Sequence, residues 1–344
     1  RFRGFQNEDF EVGSLLTAIA GQNGTQKSTL LGIITQTFTL KTEDSMRVEK
    51  PLCGGSYISA FKDKFRLSPT FDKPKGHEWT ISFDAGMDDF TVESIKRTGD
   101  PNVRFWKKGA RQEGDGYISF PTIFLSLKRL VPVAEEAKII TDDTLLTQEE
   151  LNEFKQLHNK ILIAQTPISS ATTITSKNKQ SIGVSTELYD WNQNSMGQDN
   201  LGKIILALFS FKRLHDKYPR QYKGGILAID EMDATMYPAS QVELLKVLRK
   251  YASKLNLQIL FTTHSMSLLK AMDDLVQEVT KKEETANQAK ILYLKKVDDK
   301  IAIKQGVNFK GIQLDLNVVA EGNNRKKNRI TAYTEDKENI LFVK

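Results

Sequence analysis

Apolar positions along this chain alternate between short runs and helical stripes, and each change of pattern marks an element. Leu15-Leu16-Thr17-Ala18-Ile19-Ala20 is a run of the kind a strand buried on both faces shows. A glycine-rich turn follows, and then Leu30, Leu31, Ile33, Ile34 and Phe38 recur at helical spacing. Residues 77–83, 90–97 and 103–108 are short, β-branched or aromatic, and bounded by Asp, Gly and Pro, which predicts antiparallel hairpins. Residues 120–131 form another apolar run, ending at Pro132. Thr147-Gln148-Glu149-Glu150 has the form of a capping box, and the helix it opens carries Leu151, Phe154, Leu157 and Ile161 on one face. Residues 166–194 are rich in Ser, Thr and Asn and read as an insertion or mobile loop. Leu201, Ile204, Ile205, Leu208, Phe211 and Leu214 then form a helical stripe that stops near Pro219. Two buried-type strands follow, Gly225–Ile229 and Leu257–Thr263, with a helix near residues 240–254 between them. Residues 290–296 and 300–305 make a last hairpin, residues 323–329 a polar, basic linker, and residues 330–334 the start of a further strand.

Composition narrows the picture little. Of 344 residues, one is cysteine, Cys53, so a disulfide framework and a Cys-based zinc site are both excluded. No apolar stretch approaches ~18 residues, so no transmembrane helix is available. No signal-peptide pattern opens the chain, and a cytoplasmic protein is the expectation. Both ends read as interior to a longer protein. The net charge of +6 permits contact with nucleic acid without demanding it.

The chemistry lies where strands end. Gly21-Gln22-Asn23-Gly24-Thr25-Gln26-Lys27-Ser28-Thr29 stands between a strand and a helix, the context in which backbone N–H groups cradle phosphate. Gly21 and Gly24 permit the turn, Lys27 supplies the cation, and Ser28 is the expected Mg²⁺ ligand. Gln26 occupies the place usually held by glycine; if that position needs a positive φ, the side chain costs about 1 kcal/mol. Asp230-Glu231 ends a purely apolar strand, where carboxylates overlook the crevice of an α/β sheet. Asp230 is assigned to the metal and Glu231 to an attacking water. His264 ends the next strand and is placed to reach a γ-phosphate. Ser195-Met196-Gly197-Gln198 opens a striped helix, whose N-terminus favours an anion.

In that order the four pieces resemble an ABC-type ATPase head: Walker A, signature, Walker B with its D-loop Asp233 and Pro238, and switch histidine. The resemblance implies an α/β, ABC-type P-loop ATPase head with an antiparallel β subdomain near residues 41–131 and a helical insertion near 133–180, the whole ATPase spanning 1–325. The long insertion is similar to those of SMC and double-strand-break-repair ATPases, and Asp230-Glu231-Met232-Asp233-Ala234 with Tyr237-Pro238 is closest to the overcoming-lysogenization-defect (OLD) family. That family implies an ATPase joined to a nuclease, many members serving in anti-phage defence and some as retron effectors. Arg329-Ile330-Thr331-Ala332-Tyr333-Thr334-Glu335, within 326–344, is similar to the start of a TOPRIM nuclease domain, with Glu335 as its first metal-binding acid.

The resemblance implies ATP and Mg²⁺ as cofactors and ATP bound between two copies, by Gly21, Asn23, Gly24, Thr25, Gln26, Lys27, Ser28 and Thr29 of one head and Ser195, Met196, Gly197 and Gln198 of the other. It implies a homodimer or higher homo-oligomer, DNA as a partner, a retron reverse transcriptase with its RNA–DNA or a separate nuclease as further partners, and no membrane. The rival reading is a nucleotide-gated DNA or protein clamp without a nuclease of its own; a transporter subunit is disfavoured by the insertion and the divergent signature. Lys128 and Arg129 fall where a Q-loop glutamine is expected, and no Gln stands there.

Overall fold

The computed structural model describes residues 1–58, 61–68, 70–84, 86–96, 103–109, 116–131, 139–143, 145–176 and 180–322. It divides into two units, Arg1–Val307 and Asn308–Lys344. In the first, chain order is β1 (Leu16–Gly21), α1 (Lys27–Gln36), β2 (Phe38–Thr39), α2 (Phe61–Lys64), β3 (Glu78–Ile81), β4 (Phe90–Lys96), β5 (Val103–Lys107), β6 (Ile118–Ser119), β7 (Thr122–Leu125), β8 (Ile140–Asp143) and α3 (Gln148–Leu162). Then come β9 (Ser170–Thr175), β10 (Gln180–Ser185), α4 (Met196–Lys217), β11 (Gly225–Ile229), α5 (Pro238–Leu255), β12 (Leu257–Thr263), α6 (Met266–Val279), β13 (Ala289–Val297) and β14 (Lys300–Gln305). The second unit holds α7 (Phe309–Gly322), whose first turn is tied by the Gly311 N–H to Asn308 Oδ1.

The main sheet has the order β14-β13-β1-β12-β11-β7. Its first pair is antiparallel and the other four are parallel. Parallel neighbours need crossovers, and the helices supply them, so β1 and β11 are buried at every position and read as unbroken apolar runs. Register fixes where the strands stop: Ala20 lies beside Thr263, and Ile229 beside Phe261. The chain therefore leaves β1, β11 and β12 at one edge of the sheet, the edge at which an open parallel sheet binds ligands. The fold class read from the sequence, an α/β P-loop ATPase head, is the one observed.

Two smaller sheets correct the sequence boundaries. The antiparallel β3-β4-β5 sheet forms as expected, and β4 alternates buried and half-buried residues. Its core is aromatic: Phe2 packs against Phe65, His77, Trp79 and Phe105 at centroid distances of 4.8–5.7 Å. However, β7 leaves that region and becomes the edge of the main sheet beside β11, so the subdomain stops before Thr122. The insertion is not simply helical. Alongside α3 it builds the antiparallel sheet β10-β9-β8, so residues 166–194, expected as loop, contain a hairpin. Thr172, Thr173 and Thr175 are β-branched, and polar strands of this kind are missed by an apolar count.

The capping box at Thr147 and Glu150 forms as expected, but the buried face of α3 is Glu150, Phe154, His158 and Ile161, while Leu151 and Leu157 are half-buried. Arg213 on α4 explains the rotation, because its guanidinium bonds both oxygens of Glu150, at 2.8 and 2.6 Å. Glu153 is held by Lys212 at 2.6 Å and by the Tyr251 hydroxyl on α5. The insertion helix is thereby fastened to both helices that flank β11.

Candidate nucleotide site

The loop after β1 is shaped by three positive-φ residues, Gly21, Gly24 and Gln26. At Gly21 a Cβ would lie 2.5 Å from the Leu294 carbonyl, so glycine is required on space as well as angle. Gln26 sits in the left-handed region (φ 63°, ψ 34°), which meets the condition under which its side chain is costly. Part of that cost is offset: Oε1 of Gln26 accepts the N–H of Gly4 at 3.3 Å, and the Gly4 carbonyl accepts the N–H of Ile301 at 2.8 Å. The Gln26 side chain makes no capping bond to α1, and the first turn of α1 holds no acidic residue. The N–H groups there are left for an anion, which is the fit a phosphate requires. Lys27 is 7% exposed, and its Nζ donates to the carbonyls of Gly21 and Gln22, both at 3.0 Å. Asn23 and Gly24 are exposed on the crown of the loop, while Thr25 and Thr29 are buried beneath it.

Asp230 is the hub of the edge. Its Oδ1 accepts the hydroxyls of Ser28 at 2.8 Å and Thr262 at 2.7 Å. The Thr262 Oγ1 in turn accepts the N–H of Glu231 at 2.6 Å. Glu231 has φ 48°, a conformation a side chain adopts only when its surroundings impose it. Thr262 was not singled out from the sequence; a hydroxyl one residue before the end of the strand beside Asp230 was the available signal. The Asp233 carboxylate accepts the backbone N–H of His264 at 3.4 Å, which ties the turn after β11 to the end of β12. Gln241 reinforces that junction, donating to the carbonyls of Met236 and Asp233 and accepting the Ser265 hydroxyl.

At the start of α4, Ser195 and Gln198 form a reciprocal capping box. Gln198 also donates to the Tyr189 hydroxyl at 2.8 Å. Gly197 lies against the D-loop: a Cβ there would be 2.6 Å from the Thr235 carbonyl. Met196 is 42% exposed. Glu335 lies outside the described residues.

Charge is concentrated where the strands end. Burial lowers the pKa of Lys27, while Glu231, Asp230 and Asp233 pull it back up. Arg129 is 2% exposed; burial pulls it down to about 10 against the same three carboxylates, so it keeps its charge at neutral pH. Burial, and then the Lys27 cation, hold His264 below the ordinary imidazole value, so its ring is mostly neutral at pH 7. Among the described residues no group of three or more His, Cys, Asp or Glu could hold a metal ion. A cation at this edge would take Ser28 and Asp230 and complete its shell with water and phosphate, as Mg²⁺ commonly does.

Comparison with known proteins bears on this chemistry. Among solved structures, the chain is similar to the SMC head domain from Thermotoga maritima, with 14% identity over 89% of this chain and 96% of that one and a TM-score of 0.45. An SMC head bound to the C-terminal winged-helix domain of ScpA has 13% identity, coverage of 90% and 97%, and a TM-score of 0.48. A head with an extended coiled coil from Pyrococcus furiosus has 13% identity, coverage of 92% and 98%, and a TM-score of 0.45. These likenesses are too distant to carry a functional argument. No curated protein matches the chain. Residues 128–269, from the turn after β7 through Asp230, Glu231 and His264, match the family model of the AAA ATPase domain, so the chain carries an ATPase module.

Proposed function

We propose that this module binds ATP with Mg²⁺ at the open end of α1, hydrolyses it with Glu231 as general base, and uses the cycle to control a DNA-cutting nuclease in anti-phage defence, as an OLD-type ATPase. The observation that carries the hydrolytic part is the convergence of Ser28 and Thr262 on Asp230, with Glu231 next along the chain. Bound there, ATP would supply the phosphoryl group and Mg²⁺ would offset its charge. Lys27 and the loop amides would bind the phosphates, Ser28 and Asp230 would hold the ion, Glu231 would take a proton from water, and His264 would donate a hydrogen bond. The nuclease assignment rests on the family resemblance and on Glu335. No helix of the described residues is long and apolar enough to cross a membrane.

In this reading two heads pair so that Ser195 and Gly197 of one approach the phosphates held by the other. Glu231→Gln keeps the binding groups and slows cleavage, so that protein should accumulate as an ATP-dependent dimer in light scattering. Adding Ser195→Arg should abolish the dimer while each head still binds ATP. An oligomeric state indifferent to ATP and to Ser195→Arg would contradict the head-to-head assembly.

A further inference from the structure

Arg129 is a buried cation that forms no ion pair among the described residues. Its guanidinium donates to neutral oxygens: Nε to Asn200 Oδ1 at 2.7 Å, Nη1 to the carbonyls of Leu125 and Ser126 at 3.2 and 3.1 Å, and Nη2 to the carbonyl of Glu231 at 2.8 Å. Burying a charge without a paired carboxylate is costly, so hydrophobic packing alone would have used another residue. Asn200 is fully buried on α4, five positions after Ser195, and its Nδ2 donates to the Ala234 carbonyl at 3.0 Å. The two side chains thus hold the backbone on both sides of Met232-Asp233.

The turn they hold is under strain at both ends, Glu231 and Thr235 each having positive φ. Glu231 is left-handed, and its two backbone polar groups are both committed, the N–H to Thr262 and the carbonyl to Arg129. The carbonyl also accepts the Ala234 N–H at 3.1 Å, and the Met232 N–H donates to the Thr262 carbonyl at 3.0 Å, so loss of the Arg129 bond removes a charged donor and loosens the turn without freeing it. Arg129 thereby biases the backbone that carries the Glu231 side chain without touching its carboxylate.

We infer that Arg129 and Asn200 are positioning residues for hydrolysis, coupling the N-terminal end of α4 to the direction of the Glu231 carboxylate. The inference rests on Glu231 as the base and adds a route: any displacement of the Ser195 end of α4 moves Asn200, and through Arg129 the Glu231 carbonyl. Arrival of a second head at Ser195 is the event that this route would report. It also gives a role to the turn after β7, where the resemblance calls for a glutamine and the chain supplies Arg129.

The test compares Asn200→Asp with Asn200→Leu and adds Arg129→Met. Asp keeps an acceptor for Nε of Arg129 and loses only the donor to Ala234; Leu loses both. Hydrogen bonds to charged groups set the scale, and Asn200→Leu and Arg129→Met should each lower kcat by roughly 10- to 100-fold with the Kd for MgATP unchanged. Asn200→Asp should fall clearly less. In the Glu231→Gln background the same changes should cause no further fall, because the group they position is gone. Should Arg129→Met fail to fold, the two Asn200 variants decide the matter alone. Equal losses for Asn200→Asp and Asn200→Leu, a loss in nucleotide affinity rather than kcat, or an additive fall in the Glu231→Gln background would overturn the coupling and leave the base assignment standing. Wild-type turnover by Glu231→Gln itself would overturn both.

Discussion

Two helices in this molecule begin at places where an anion could be held, and they differ in how their first turns are satisfied. At α1 the residue before the helix is Gln26, whose side chain turns away to Gly4 and leaves the helix N–H groups uncapped. At α4, Ser195 and Gln198 cap each other within one chain. The open end has a buried cation, Lys27, and the Asp230 hub beside it; the closed end has Gly197 pressed on the Thr235 carbonyl. A helix N-terminus alone does not define a phosphate site. The end left uncapped, with charge and strain around it, has N–H groups to offer an anion, while the capped end is complete without one and can offer a phosphate only what it releases.

Lys27→Ala should break the open end most severely. It removes the one cation bonded into the loop, and calorimetry should find nucleotide affinity lowered by about 100-fold or more, taking charge-assisted bonds at ~1.5–3 kcal/mol each. Unchanged affinity would mean that the loop is only a turn.

Acid should act next, on the support beneath α4. His158 is buried on α3, neither ring nitrogen meets hydrogen-bond geometry with a partner among the described residues, and burial pushes its pKa down to about 4 against a weaker opposing pull from Asn159. Its folded pKa lies below the unfolded value, so the unfolded chain binds the proton first and stability is lost as pH falls from ~6.5 towards ~4. The loss due to this ring should approach ~3 kcal/mol at the low end. In His158→Leu the pH dependence of Tm over that window should flatten; an unchanged slope would place the acid sensitivity elsewhere.

Ser195→Ala probes the closed end. Loss of the cap should cost about 1 kcal/mol, visible in urea unfolding, with ATP affinity of the single head unaltered. A fall in single-head affinity would show that the two ends are not separate.

Smallest of all should be Gln26→Gly. Relief of a left-handed side chain is worth about 1 kcal/mol, and the lost bond to Gly4 about as much in the other direction. ATP affinity should change less than ~5-fold, since 1 kcal/mol corresponds to about that factor. A gain of tenfold or more would show that Gln26 is a handicap the bond does not repair.

The apolar runs of β1, β11 and β12 made the sheet legible, because strands buried on both faces leave no other reading. The places of the glycine loop, Asp230-Glu231 and His264 at strand ends were legible for the same reason: each follows such a run. The hairpin β9–β10 was not, since Thr172, Thr173 and Thr175 look like loop residues until β10 pairs with them. The face of α3 was misjudged because Glu150 is buried by an ion pair with Arg213, a partner 63 positions away. Thr262 and the contacts of Arg129 escaped for a similar reason. Their partners, Asn200, Glu231 and Asp230, are brought to them by strand pairing and by the packing of α4, not by sequence spacing.

The central claim is that nucleotide bound at the open end of α1 is cleaved by Glu231 at the neighbouring strand end. Single-turnover hydrolysis by Glu231→Gln, with MgATP affinity measured on the same protein, tests it most directly. The account predicts wild-type affinity, which rests on Lys27, Ser28 and the loop amides, together with cleavage slowed by ~10²–10⁴, the usual contribution of a general base. Cleavage at the wild-type rate, or an affinity that collapses with the carboxylate, would contradict it.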